Sequence, residues 1–463
     1  MLSSVSVTKV KSEEKARQGE EGEEGDDGSS VVPVVPVKKG MGAYGCYYYP
    51  RVPCHDITAA EMRELDAIEL LGSKVQRRSS SLDQEIQHIL KLVLNVPQHH
   101  MYFVVPKRVC NLTELTDVQD CDKLTKRKGK GDEKEKGKGD EKGEADEKGD
   151  EKGEGDEKEK AEGDEKGEAE GDEKGKGIEG GGPKNAYEEE LVEALRYDKN
   201  GMWVNMLMRN IDHGLSVGAY LRSITHVERW SSLLRLYKHL TEAVTLLVDE
   251  KVGLIHWDLH SDNIMVDART GIPYMIDFGL SIDAHDASER ATVARSFEVH
   301  PYHYRWPLET QFMMWAHRGS EGVDAMVDML TSHMRFFDIC SVGFKERYVA
   351  GAKAFYKEFT RAHGKSDLMW LGWHTWDGYA VAVLFLQYIC SMYSSGFYVN
   401  NRMLRDLFKL LLENIHYDWR RRPTAKETLR RLREMIDRSY TPEEYLLSRE
   451  YPTMSRETGC PDM

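Results

Sequence analysis

Long apolar runs are missing from this chain. No stretch of its 463 residues approaches the roughly 18–20 apolar residues a membrane-spanning helix needs. The opening Met1-Leu2-Ser3-Ser4-Val5 is too poor in apolar residues for a secretory signal. A soluble, cytoplasmic protein with no membrane partner is the expectation. Cysteine is scarce as well: seven residues, at 46, 54, 110, 121, 340, 390 and 460, with no C-x-x-C pair. That scatter argues against a disulfide framework or a zinc site and fits a reducing compartment. A basic tract is also lacking, so nucleic acid is not expected as the main partner.

Charge is plentiful but unevenly placed. The formal net charge is -15, of which residues 1–30 carry -4 and residues 121–180 carry -7. The acidity therefore belongs to solvated segments and says little about a substrate. Residues 122–183 repeat variants of Gly-Asp-Glu-Lys-Gly-Glu with almost no apolar residue. A lysine follows nearly every Asp-Glu pair, and the glycines do not match a calcium loop. A flexible, charge-mixed insertion is the reading. Outside it the composition is globular, and helical periodicity is clear in Trp230–Leu247, Tyr379–Ile389 and Ala425–Ile436. The nine tryptophans read as core.

The most specific signal is Leu254-Ile255-His256-Trp257-Asp258-Leu259-His260-Ser261-Asp262-Asn263, followed by Ile276-Asp277-Phe278-Gly279. Phosphoryl transfer needs a carboxylate beside the attacking hydroxyl, an amide oxygen on a metal ion, and a second carboxylate between metal and phosphates. Asp258, Asn263 and Asp277 supply these groups in that order. Between Asn263 and Ile276, two short apolar runs flank Asp267-Ala268-Arg269-Thr270-Gly271, the pattern of a β-hairpin. Such a ribbon would let Asn263 and Asp277 meet at one metal ion. The histidines and aspartates of 256–262 need no metal cluster of their own. His256 reads as a support beneath the loop, and Asp262 as solvated.

Upstream, Gly40-Met41-Gly42-Ala43-Tyr44-Gly45 fits G-x-G-x-x-G, whose glycines let backbone amides approach phosphate oxygens. No βαβ unit follows it, which disfavours a dinucleotide fold. Lys74, in Gly72-Ser73-Lys74-Val75-Gln76, is the strand lysine that phosphate positioning calls for. Glu85 is its partner on a helix whose inward face also carries Ile89 and Leu92, with Ser81 and Gln84 spaced as a capping box.

Three further stretches lie downstream. Tyr304-Arg305-Trp306-Pro307-Leu308-Glu309 resembles the A-P-E that ends a kinase activation segment, with one residue inserted. Trp376-Asp377-Gly378-Tyr379-Ala380 looks like the buried helix whose aspartate holds the catalytic-loop backbone. Arg420-Arg421-Arg422-Pro423-Thr424-Ala425 resembles the stretch whose arginine pairs with the A-P-E glutamate, here Arg422 with Glu309.

Taken together, residues 38 to about 437 resemble the protein serine/threonine kinases. Gly42 to Tyr47, the short Gly-Ser-Lys strand, Met101-Tyr102-Phe103 and Val109-Cys110-Asn111-Leu112 resemble those of large nucleocytoplasmic DNA viruses. The resemblance implies an α+β, bilobal fold: a tail over 1–36, a β-rich N-lobe over 37–208 holding the insertion 122–183, a helical C-lobe over 209–440, and a tail over 441–463. It implies ATP with Mg2+ or Mn2+, protein substrates, and a cytoplasmic setting in an infected cell or a virion. In it, Asp258 is the base, and Lys74 and Glu85 position the phosphates beneath Gly40, Gly42 and Gly45. Asn263 and Asp277 hold the metal. A small-molecule phosphotransferase of the aminoglycoside- or choline-kinase kind and a non-catalytic scaffold are the alternatives. Two positions depart from the family pattern. Trp257 replaces the arginine that receives a loop phosphate, and an indole cannot do so. His260 replaces a lysine that contacts the transferred phosphate. Phosphorylation of Ser281, Ser288, Thr292 or Ser296 is therefore not expected to be the switch.

Overall fold

The computed structural model describes residues 36–41, 45–54, 56–68, 70–112, 186–197, 203–297, 303–317, 322–340, 342–363, 366–394 and 402–438. The tails and the charged insertion lie outside them. Twelve α-helices and antiparallel sheets occur among the described residues, which makes this an α+β protein.

The largest sheet has five strands: β1 (Val37–Met41), β2 (Cys46–Tyr49), β3 (Leu71–Arg77), β4 (Pro106–Leu112) and β5 (Trp203–Arg209). Their order is β1-β2-β3-β5-β4. β5 lies inside the sheet between β3 and β4, and its first five residues are all buried, as expected of a strand covered on both faces. The helix Ser80–Asn95 packs on this sheet through Leu82, Ile86, Ile89 and Val93, repeating at helical spacing. Its N-cap is Ser79, whose side chain accepts from the amide of Leu82 at 3.2 Å. Ser81, the cap expected from spacing, instead hydrogen-bonds the Ser79 hydroxyl at 2.8 Å.

Helices dominate the rest. The helix over the first periodic stretch runs His226–Leu247, starting four residues before its apolar pattern because Thr225 and Glu228 form a capping box. The others run Trp376–Ser394 and Ala425–Asp437. Between the helices, Ile264–Asp267 pairs antiparallel with Pro273–Met275 in the hairpin at the expected place. Six of the nine tryptophans are buried, and Trp230, Trp315 and Trp373 are half-buried. No helix among the described residues is long and apolar enough to cross a membrane.

The expectation of no disulfides fails. Cys54 and Cys110 form a disulfide across a Cα–Cα distance of 5.9 Å. The segment before β3 runs beside the sheet, because the amide of Val52 donates to Ser73 Oγ and Asn205 Nδ2 donates to the Val52 carbonyl. That crossing brings together two cysteines separated by 56 residues. Their spacing in sequence carries no trace of it.

Arg422 and Glu309 form the ion pair on which the helical part is built. The guanidinium meets the carboxylate in a two-pronged contact, Nη1–Oε1 2.5 Å and Nη2–Oε2 2.8 Å, with both side chains at 0 % exposure. Trp376 Nε1 also donates to Glu309 Oε1, and Arg422 Nε donates to the His416 carbonyl. Full burial makes the pair costly to break from one side, since the surviving charge keeps its desolvation penalty. Glu309→Gln is expected to lower the unfolding free energy by about 3–5 kcal/mol, read by chemical denaturation. A loss below about 1 kcal/mol, the scale of an exposed pair, would contradict the structural role given to this contact.

Candidate active site

Side chains alternate across β3, so Lys74 and Gln76 share a face while Val75 enters the core on the other. The facing surface of the helix Ser80–Asn95 brings Glu85 to them. Lys74 Nζ lies 2.6 Å from Glu85 Oε1 and 3.0 Å from Asp277 Oδ1, while Gln76 Nε2 holds the other Glu85 oxygen at 3.2 Å. Glu85 is 4 % exposed. Gln76 was not singled out by the sequence. Its position two residues beyond the lysine on the same face is the signal that could have found it.

Asp277 arrives from the far end of the hairpin. The amide of Ile276 donates to the Asn263 carbonyl at 3.0 Å, so the ribbon closes where these two residues stand. Asp277 has φ +65° and Trp257 φ +69°. Non-glycine residues held in this region persist only when their surroundings over-determine them, and such positions cluster at functional sites. Here the constraints are visible. Phe278 is buried between the rings of His256 and Phe103, at 4.9 and 5.9 Å. The carboxylate of Asp377 accepts from the amides of His256 and Trp257 at 2.7 and 3.2 Å.

On the loop 256–263, Asn263 Nδ2 donates to the carbonyl of Asp258 at 2.9 Å and to its Oδ2 at 3.0 Å. The amide nitrogen is thereby committed to the loop, and the amide oxygen is the ligand-capable atom. His260 Nε2 stands 3.5 Å from Asp258 Oδ2, and its Nδ1 accepts from the amide of Asp262. The neutral ring therefore carries its proton on Nε2, towards Asp258. His256 is fully buried and donates through Nε2 to the Ile276 carbonyl at 3.0 Å, which is a support under the loop. Asp262 is exposed.

The glycine segment is described in part. Gly40 lies in β1 opposite Tyr47, and Gly42 falls outside the described residues. Gly45 begins the approach to β2, where a Cβ would stand 2.5 Å from the Val75 carbonyl oxygen. Close packing of strand on strand is reason enough for a glycine there.

Electrostatics bind the cluster. Burial pushes the Asp277 carboxyl up, but the Lys74 ammonium and the Gly279 amide outweigh it and leave its pKa below the usual value. Burial pushes Lys74 down, yet Glu85 and Asp277 together raise it above the usual lysine value. The depressed Asp277 contributes stability that is present above the ordinary aspartate pKa and lost as pH falls through the lowered one. The raised Lys74 contributes stability that is present below the ordinary lysine pKa and lost as pH rises through the raised one. Both charges therefore hold from about pH 5 to about pH 9. Lys74→Met leaves the buried Glu85 without its cation, and a loss of about 1–3 kcal/mol is expected. In melting experiments the difference from wild type should shrink as pH falls from that window to below about pH 4, because the unpaired carboxylates of the variant then take up protons. A difference as large at about pH 3 as at about pH 7 would contradict the charge assignment.

A carboxylate and an amide oxygen beside a buried ammonium–carboxylate pair suit a hard divalent cation carrying phosphate. The chain matches no family model and no curated protein.

Proposed function

We propose that this chain is an ATP-dependent protein kinase that transfers the γ-phosphate to serine or threonine hydroxyls, on a bilobal fold of the kind the motifs resemble. The observation that carries the reading is the meeting of Lys74, Glu85 and Asp277, from a third strand, the helix after it and the end of the hairpin. Phosphoryl transfer rests on positioning and charge stabilisation more than on covalent chemistry. A rigid ammonium between two carboxylates supplies that positioning.

In this reading Lys74 binds the α- and β-phosphates, and Glu85 keeps its ammonium aimed. The oxygens of Asn263 and Asp277 are the hard donors that would hold Mg2+ or Mn2+, whose charge, when bound, offsets that of the phosphates. Asp258 orients the attacking hydroxyl and accepts its proton, with its carboxylate fixed by Asn263 Nδ2. Gly40, Gly42 and Gly45 belong to the segment that covers the phosphates. The sheet β1–β5 with the helix Ser80–Asn95 forms the first lobe, and the helices from His226 onward form the second. The kinases that the motifs resemble are those of large nucleocytoplasmic DNA viruses, and the setting in this reading is the cytoplasm of an infected cell or a virion.

His260 beside Asp258 also supports a second reading, transfer to a small-molecule hydroxyl, since H-x-D-L-H-x-x-N occurs in aminoglycoside- and choline-kinase-like enzymes. A transfer assay with radiolabelled ATP decides between them, run in parallel on generic protein substrates, aminoglycosides and choline. Label is expected on protein. Asp258→Asn and Asp277→Asn should each lower kcat by at least about a hundredfold with the melting temperature of Asp258→Asn little changed. Label on the small molecules alone would establish the second reading. Undiminished transfer by both variants would sink the mechanism.

A further inference from the structure

Two places in this fold stand where a phosphate on the segment after Asp277 could dock, and the chain fills both with its own side chains. The first is position 257. Trp257 is 3 % exposed and stacks on Trp306 at 5.1 Å, with Trp376 and Phe297 at 5.5 and 5.8 Å. Trp306 Nε1 donates to the Trp257 carbonyl at 2.8 Å. The catalytic loop and the end of the segment are thus joined by aromatic packing rather than by charge.

The second place is the helix Ser80–Asn95, one turn beyond Glu85. His88 is buried at 4 % exposure and bridges two residues of the segment. Its Nδ1 is 2.8 Å from Ser281 Oγ and its Nε2 is 2.9 Å from Glu289 Oε1. The Ser281 hydroxyl also lies 2.6 Å from the Phe278 carbonyl. A carboxylate only accepts, so the ring donates through Nε2 to Glu289. One turn further, Lys91 Nζ lies 2.6 Å from Asp283 Oδ2. The two contacts brace each other, because the amide of Asp283 donates to Glu289 Oε2 at 2.7 Å. Glu289 is itself placed by the helix Ala287–Ser296, whose first turn is capped by Asp286. The hydroxyls nearby are committed too: Ser288 donates to Asp286, and Thr292 to the Ser288 carbonyl.

We propose that Glu289 and Asp283 act as built-in anions that latch the helix Ser80–Asn95 through His88 and Lys91, holding Glu85 on Lys74 with no phosphate on the segment. The regulation so described rests on the kinase reading above: a site assembled without phosphorylation. Charge-assisted bonds between partly buried groups are the strong class of hydrogen bond, about twice as strong as neutral ones. Two of them, one turn apart on the helix that carries Glu85, suffice to bias its position. His88, Lys91, Asp283 and Glu289 are positioning residues, since they touch Glu85 only through the helix.

The test uses the full chain, treated with phosphatase and shown free of phosphate by mass spectrometry. Amide hydrogen exchange over 80–95 and over 376–394 is measured alongside phosphate transfer. In the phosphate-free protein, 80–95 should stay as protected as before treatment, with transfer undiminished. Glu289→Ala and Asp283→Lys should each speed exchange over 80–95 by at least about tenfold while 376–394 is unchanged, the mark of local opening. Lys91→Glu combined with Asp283→Lys restores the pairing with its charges exchanged and should recover most of the protection, which a merely structural loss would not do. Loosening of 80–95 on dephosphorylation alone would overturn the proposal, as would wild-type exchange in both single variants or no recovery in the exchanged pair. Exchange that follows this pattern in a protein with no transfer activity would count against the kinase reading and for the latch.

Discussion

The ammonium of Lys74 sits where two carboxylates from distant parts of the chain converge, within hydrogen-bond distance of both. Glu85 is almost wholly buried, and Asp277 adopts a left-handed backbone at the end of a hairpin. Like charges at this separation repel strongly in a poorly hydrated site, and an interposed cation reverses the sign of the interaction. The sheet supplies the cation, the helix Ser80–Asn95 one anion and the hairpin the other. Three elements that would otherwise meet only through apolar contacts acquire a defined geometry at a single atom.

The remainder of the fold can be understood as support for that convergence. Asp377, buried at the start of its helix, accepts two loop amides and so fixes the left-handed turn at Trp257. Burial nonetheless raises its pKa above the usual aspartate value. Arg422 and Glu309 tie the segment end to the helices beneath it, and Trp376 shares the same carboxylate. Apolar packing supplies most of the cohesion, while these polar contacts select one arrangement among many compact ones.

Much of this was readable in the chain, for a physical reason. Helix periodicity, the hairpin turn and the order of motifs are local signals, and local signals sufficed to place Lys74 on a strand, Glu85 on the inward face of a helix, and Asn263 and Asp277 at opposite ends of a two-stranded ribbon through which they could meet. The Arg422–Glu309 contact spans 113 residues, yet each member sits in its own motif. Other features have no local signature. The Cys54–Cys110 bond and the Glu289–His88 contact arise where the chain crosses itself, and no spacing rule encodes such crossings. Ser79 rather than Ser81 caps its helix for a related reason. Three consecutive serines offer the same chemistry, and only the chain's extended approach at Ser79 selects among them.

In the proposed function, Asn263 and Asp277 make a metal-dependent phosphate site around Lys74. Calorimetric titration with a non-hydrolysable ATP analogue, with and without Mg2+, addresses it without relying on turnover. Binding should strengthen by at least about tenfold with Mg2+ in the wild-type protein, and this gain should vanish in Asn263→Ala. Equal affinity with and without the metal, or an undiminished gain in Asn263→Ala, would contradict the account.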